Sequence, residues 1–204
     1  MIEFWNNRYK DTDYAYGIQP NEFLKNTVLN LSTKGKALLP CEGEGRNAVF
    51  LAKNGFDVTA FDSSNEGKKK AFKLAKREGV NINYTICDFE TFKFQDEYFD
   101  VISLVYAHFS PNVREVYHQQ LIKALKPGGT IIIEGFSKDN LLLSKKNPKI
   151  GGPQKIDLLY DESTLKNDFK SLNIIQLKQI TVELNEGKYH IGESSVVRMI
   201  AKKK

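Results

Sequence analysis

No stretch of this 204-residue chain approaches the roughly 20 consecutive apolar residues that a bilayer-spanning helix needs. Its start, MIEFWNNRYKDTDYAYG, lacks the basic opening, the long apolar stretch and the small-residue cleavage site of an export signal. A cytoplasmic protein without membrane contact is therefore the expectation. Arginine is scarce, with five among 30 basic residues, so the net charge of +5 rests on lysine. The lysines scatter except at Lys68–Lys70, Lys145–Lys146 and Lys202–Lys204. Grouped arginine forks and aromatic platforms, which nucleic-acid readers use, are missing. The lysine runs read as solvated faces, and no nucleic-acid partner is expected. Cysteine is limited to Cys41 and Cys87, at the ends of apolar runs and without metal-ligand spacing. Buried free thiols and no metal are the expectation. No G-x-S-x-G nucleophile elbow, internal repeat or low-complexity linker occurs.

What is present has ordinary globular proportions, 41% hydrophobic and 27% charged, in a length suited to one domain with a cap. The apolar run before Cys41 ends at a glycine-rich break. A helix follows through Ala48, Leu51 and Ala52 and stops at Gly55. FDVTAFD is a short strand ending at Asp62, and Ser63 with Glu66 forms a capping box for a helix reaching about Arg77. Val80, Ile82, Tyr84 and Ile86 alternate as a strand, and YFDVISLVYAH is the continuous apolar run of a central parallel strand. Pro111 starts a helix that KPGG breaks, and TIIIEGF is the fifth strand. Residues 137–160 read as a loop or lid. A short helix near Glu162–Phe169 precedes two antiparallel strands separated by NEGK. This order predicts a Rossmann-like, doubly wound α/β fold, mostly parallel, with an antiparallel C-terminal hairpin.

In LLPCEGEGRNAVFLA, Gly43, Gly45 and Ala48 fit G-x-G-x-x-G/A, a loop that lets a nucleotide lie close to backbone. Asp62, 19 residues beyond Gly43, is placed to bridge ribose hydroxyls. A dinucleotide and S-adenosylmethionine both satisfy these features. Glu42 and Glu44 tip the balance: carboxylates at a helix N-terminus compete with a pyrophosphate but not with a sulfonium cation. Asp88, just past the third strand, can accept from an adenine amino group. Nothing after the fifth strand is large enough to form a separate substrate domain for hydride transfer.

Four segments in order, LLPCEGEGRN with Asp62, CDFE, FDVISLVYAHF and LKPGGTIIIEGF, resemble a class I S-adenosylmethionine-dependent methyltransferase over roughly residues 30–204. FWNNRY, YGIQPNEFL, GGP and EGKYHIG resemble its small-molecule branch, which includes tellurite-resistance and thiopurine methyltransferases. The resemblance implies a seven-stranded sheet in a single domain over residues 1–204, with residues 1–30 as a helical cap. It also implies S-adenosylmethionine as cofactor and S-adenosylhomocysteine as product. Gly43 and Gly45 match the loop glycines, Asp62 with Ser63 the ribose site, Asp88 with Phe89 the adenine site, and Val105 with Tyr106 the end of the fourth strand beside the reacting methyl. Leu39 stands where the family usually has an acid, and Cys41 where it has a glycine. Glu42 or Arg46 is then left to hold the methionyl end.

Direct displacement from a sulfonium asks the protein for positioning, electrostatics and exclusion of water. His108, just after the fourth strand, is the candidate catalytic base. Tyr16, His108 and His190 are candidate substrate contacts, and Trp5, Tyr9, Tyr14 and Tyr16 are candidates for a lid. The expected partner is a small-molecule methyl acceptor, a thiol, a metalloid oxyanion or similar, with the protein a monomer or homodimer. A nicotinamide-dependent oxidoreductase and a non-catalytic S-adenosylmethionine-binding module remain open alternatives.

Overall fold

The computed structural model describes residues 2–32 and 34–204. Met1, the first residue of the expected cap, and Thr33, inside the stretch of resemblance, lie outside the described residues. The chain opens with two helices, α1 (Ile2–Tyr9) and α2 (Glu22–Leu29). It then alternates β1 (Lys36–Pro40), α3 (Arg46–Lys53), β2 (Asp57–Asp62), α4 (Asn65–Arg77), β3 (Asn83–Ile86), β4 (Phe99–Val105), α5 (Pro111–Ala124) and β5 (Leu125–Phe136). A short helix α6 (Asn140–Lys146) and α7 (Glu162–Asp168) lead into the hairpin β6 (Asn173–Glu186) and β7 (His190–Lys202). One seven-stranded sheet results, in the order β3-β2-β1-β4-β5-β7-β6. β1 to β5 pair in parallel, and β7 pairs antiparallel with both β5 and β6.

Alternation along the strands feeds two large cores, with a smaller third cluster around Phe136, Ile150, Leu184 and Val196. Leu38, Phe61, Ile102, Leu104 and Ile133 pack with α5 and α7 through Leu121, Leu165 and Phe169. Their neighbours Ala37, Leu39, Ala60, Val101 and Ile132 pack with α2, α3 and α4 through Leu24, Leu51 and Leu74. Because both faces are covered, the central strands read as unbroken apolar runs. Strand order reverses between β1 and β4, and the crevice beyond their carboxyl ends is where open α/β sheets take ligands.

Local details depart from the sequence reading. The cap of α4 is Ser64, whose hydroxyl accepts from the Gly67 N–H at 3.0 Å, one residue later than the expected Ser63. β5 begins at Leu125, so KPGG falls within the strand, where its pairing with β4 is irregular between Phe99 and Val101. Residues 137–160 are not an irregular loop: they hold α6 and two 3-10 turns, bury Ile150, Leu159 and Tyr160, and bridge Ser137 to Tyr160. At β3, Ile82 and Tyr84 are buried as the alternation predicts, whereas Ile86 is 43% exposed.

Candidate active site

The loop between β1 and α3 supplies the floor of the crevice. Cys41 sits with φ +54°, left-handed backbone that an L side chain enters at a cost of roughly 1–2 kcal/mol. Its surface is exposed, and Cys87 is half-buried, so neither is the buried core thiol that the sequence suggests. Burial, with Asp62, Cys87 and Glu42 nearby, still pushes the Cys41 thiol well above its ordinary range.

Glu42 and Glu44 have separate roles. One oxygen of Glu42 accepts from the N–H groups of Asn47 (2.9 Å) and Ala48 (2.7 Å). The N-terminus of α3, whose Gly45 N-cap offers no side chain, is thus capped by the protein's own carboxylate. Burial pushes the Glu42 carboxyl up to about 7 against the pull of those N–H groups and Arg46. Glu44 turns the other way. Buried, it binds Lys70 at 2.7 Å and accepts from the Ala15 N–H at 2.8 Å. The competition with a pyrophosphate expected of both residues therefore falls to Glu42.

The two loop glycines meet protein. A Cβ on Gly45 (φ +85°) would stand 2.5 Å from the Ala71 Cβ of α4, and one on Gly43 (φ +59°) would stand 2.6 Å from the Tyr9 hydroxyl. Asp62, at the end of β2, accepts from the N–H of Gly43 at 3.0 Å and of Ser64 at 2.8 Å, which fixes its carboxylate on the loop with lone pairs to spare. Asp88 is exposed and accepts from the Thr91 N–H and hydroxyl. Phe89, expected at an adenine site, is instead a core ring stacked on Tyr117 at 4.3 Å.

Residues 10–20 form a strap over the loop. Arg46 is buried and donates to the carbonyls of Tyr16 (3.1 Å) and Gln19 (3.4 Å) and to Glu186 of the hairpin (2.9 Å). Its Nη1 and Nη2 groups are engaged inside the protein, so Arg46 stands here as a pin between strap and hairpin rather than as a free partner for a methionyl carboxylate. Lys188 in the hairpin turn donates its N–H to the Ala15 carbonyl, and its ammonium pairs with Asp13. α1 adds a clamp: Asn6 accepts from the Ser64 hydroxyl at 2.8 Å, and Trp5 stacks on Tyr9.

Beyond the strap lies a polar cluster whose two carboxylates, Glu134 and Glu186, sequence reasoning missed. Tyr106, at φ +54° directly after β4, donates to Glu134, which also takes Asn21 and Arg198. His190 packs against Tyr16 (4.4 Å), Tyr106 (4.6 Å) and Phe136 (5.1 Å) and meets Glu186 through Nδ1 at 3.1 Å. Glu134 had a usable signal, a lone carboxylate inside TIIIEGF; Glu186, in a polar turn, had none. Tyr16, Tyr106 and His190 are brought together here. His108 is not free: its Nδ1 donates to the Leu158 carbonyl at 2.9 Å, and its Nε2 accepts from the Phe136 N–H at 3.2 Å. Burial lowers its pKa to about 4. The expected base at His108 is thus a buttress between β5 and the turn before Tyr160.

A separate groove of about 250 Å³ between α3, α4 and Ile18–Pro20 shares Arg46 with this site but is lined by neither Asp62 nor Tyr106. No group of side chains suited to a metal ion occurs among the described residues.

Residues 38–129 match a family model described as a methyltransferase domain. The ubiquinone biosynthesis O-methyltransferase of Rickettsia canadensis is 34% identical over 96 residues, 47% of this chain and 40% of that protein. The probable S-adenosyl-L-methionine-dependent methyltransferase TehB of Haemophilus influenzae is 23% identical over 162 residues, 74% of this chain and 52% of that protein. The chain thus spans about half or less of the length of these relatives. The solved structure of TehB from Haemophilus influenzae superposes with a TM-score of 0.71 at 19% identity, covering 100% of this chain and 67% of that one. A structure solved in work on conversion of a disulfide bond into a thioacetal group during echinomycin biosynthesis gives 0.79 at 16% identity, covering 100% and 92%. With a methyltransferase domain matched at residues 38–129 and the same fold throughout, the chain resembles the class I S-adenosylmethionine-dependent methyltransferases.

Proposed function

We propose that this chain is an S-adenosylmethionine-dependent methyltransferase acting on a small-molecule acceptor by direct displacement. The observation that carries the reading is Glu42 capping α3. A diphosphate needs that helix end, and here it is taken by a carboxylate, whereas a sulfonium gains from an acidic rim. An oxidoreductase using a nicotinamide dinucleotide is disfavoured on the same ground.

The donor set fits an adenosyl sulfonium. Asp62, held on the loop by Gly43 and Ser64, has acceptor capacity left for ribose hydroxyls, with Ser63 beside it. Asp88 stands exposed past β3 for an adenine amino group, next to the apolar surface of Ile86. Val105 at the end of β4 and Tyr106 just after it flank the reacting centre, and the Glu42 oxygen not used by Asn47 and Ala48 is left for the methionyl end. When bound, the cofactor supplies an electrophilic methyl group. The chain's own residues orient the two partners, and α1 with the strap excludes water.

A small acceptor suits the crowded aromatic wall of Tyr16, Tyr106, Phe136 and His190, and a relative named for ubiquinone biosynthesis supports the same class. A thiol or a metalloid oxyanion is the finer reading, in a cytoplasmic monomer or homodimer. The test is label transfer from methyl-labelled S-adenosylmethionine to a panel of thiols, phenols, small amines, selenite and tellurite. Labelled product is expected. Tight binding with no transfer to any member would make the protein a binding module instead.

A further inference from the structure

The sequence holds three histidines, and the structure gives each a different standing. His118 is fully buried on α5, with Nδ1 against Asp168 at 2.8 Å and Nε2 buried without a partner beneath Phe169. His108 has both ring nitrogens bonded to backbone. In His190 the Nδ1 faces a Glu186 oxygen at 3.1 Å. An ionised carboxylate only accepts, so Nδ1 carries the hydrogen and Nε2 the lone pair.

Glu186 is held ionised. Burial works against its charge, but His190 and the Arg46 guanidinium bring it down to about 2. Arg46 fixes one Glu186 oxygen at 2.9 Å, and the Asn21 amide approaches the other at 3.5 Å. The Nε2 edge of the imidazole runs along Gly151, where a Cβ would stand 3.4 Å from Nε2 and 3.0 Å from Cδ2. Glycine there spares Nε2 the Cβ that any other residue would press against it, while the ring as a whole is buried. Tyr16 and Tyr106 wall the same ring, and Tyr106 directly follows β4, which pairs with β1, the strand that leads into the Cys41–Gly45 loop.

On the methyltransferase reading above, we propose that His190 is the catalytic residue that takes the acceptor's proton, with Glu186 and Arg46 as positioning residues, and that the acceptor is a protic small molecule, an S–H, O–H or N–H compound that arrives protonated. The acceptor X–H bond breaks, its electron pair stays on X as the attacking lone pair, and an N–H bond forms at Nε2. The imidazolium is balanced by Glu186 and later releases its proton to water. The charged and titratable neighbours act in both directions. Burial, with Arg46 of α3 and Arg8 of α1, lowers the His190 pKa, and Glu186 of β6 raises it, for a net lowering that favours the neutral ring with its Nε2 lone pair. Tyr16, Tyr189, Tyr106 and, behind Tyr106, Glu134 complete the surroundings, with His108 on the loop after β4.

Two readouts test it. ¹⁵N-resolved imidazole NMR, assigned with His190→Asn, is expected to show His190 as the Nδ1–H tautomer at pH 7.5, with a titration midpoint that falls in Glu186→Gln. An Nε2–H tautomer, or an unmoved midpoint, overturns the proposal without using any activity. The second readout is a series of substituted thiophenols and phenols whose own pKa values run from well below to well above the assay pH. His190→Asn is expected to slow acceptors that arrive protonated by about 10²–10⁴-fold and those already ionised by less than about threefold. A uniform loss across the series indicates a structural role and sinks the idea, as does no turnover of any member with the donor bound. Calorimetric binding of S-adenosylmethionine to the same variant separates this failure from failure of the methyltransferase reading, because the donor must bind in either case.

Discussion

Replacing Arg46 with methionine removes the pin between strap, loop and hairpin. Arg46 and Glu186 lie 2.9 Å apart with side chains only 9% and 14% exposed, so solvent screens the pair weakly. Deleting one partner of such a pair strands the other charge, at about 3–5 kcal/mol. For a domain of this size each kcal/mol moves Tm by about 2–4 °C, so Arg46→Met is expected to melt roughly 6–20 °C lower. The carbonyls of Tyr16 and Gln19 lose their donor in the same step, so the amides of residues 13–20 should exchange faster. Arg46→Met combined with Glu186→Gln removes both charges and is expected to recover most of the loss, to within about 2 kcal/mol of wild type. Calorimetric melts of the four proteins in one buffer check the cycle. An Arg46→Met melt within about 3 °C of wild type, or a double variant as weak as the sum of its parents, would refute the buried-pair argument.

Other outcomes follow from the same geometry. Asp62→Ala is expected to weaken S-adenosylmethionine and S-adenosylhomocysteine alike by roughly 1.5–3 kcal/mol, measured by calorimetry; unchanged affinity in a folded variant removes Asp62 from the site. Gly45→Ala places a Cβ 2.5 Å from Ala71 at φ +85°, and a loss of at least about 2 kcal/mol in urea unfolding is expected even without ligand. A neutral result would show that α3 and α4 can part there. The Glu42 carboxyl, pushed up to about 7 by burial, is mostly protonated at pH 6 and ionised at pH 8. The preference for the sulfonium of S-adenosylmethionine over the neutral sulfur of S-adenosylhomocysteine should therefore rise severalfold from pH 6 to 8, by roughly 1 kcal/mol. The rise should vanish in Glu42→Gln; a flat ratio in the wild type contradicts the assignment.

Much of the fold was legible because its signals are local. Apolar runs for β1, β4 and β5, glycine breaks and a polar hairpin turn are each contained in about ten residues, and together they dictate a doubly wound sheet ending in an antiparallel pair. Segment 137–160 was not legible, because its short helices owe their order to β7 and Tyr160 rather than to their own periodicity. In the site, Asp62 and the glycine loop stood out through spacing. Arg46 and Glu186 are 140 residues apart, and only the folded chain shows that the arginine pairs with that carboxylate. His108 misled for a related reason: its position after β4 is right for chemistry, but Leu158 and Phe136, both distant in sequence, claim its two nitrogens.

Calorimetric titration of the purified chain with S-adenosylmethionine, S-adenosylhomocysteine and NAD is the most direct measurement of the central claim. Saturable binding of both adenosyl ligands and no heat from NAD are expected, because Glu42 already caps the helix end that a diphosphate requires. Binding of NAD, or of none of the three, would contradict it.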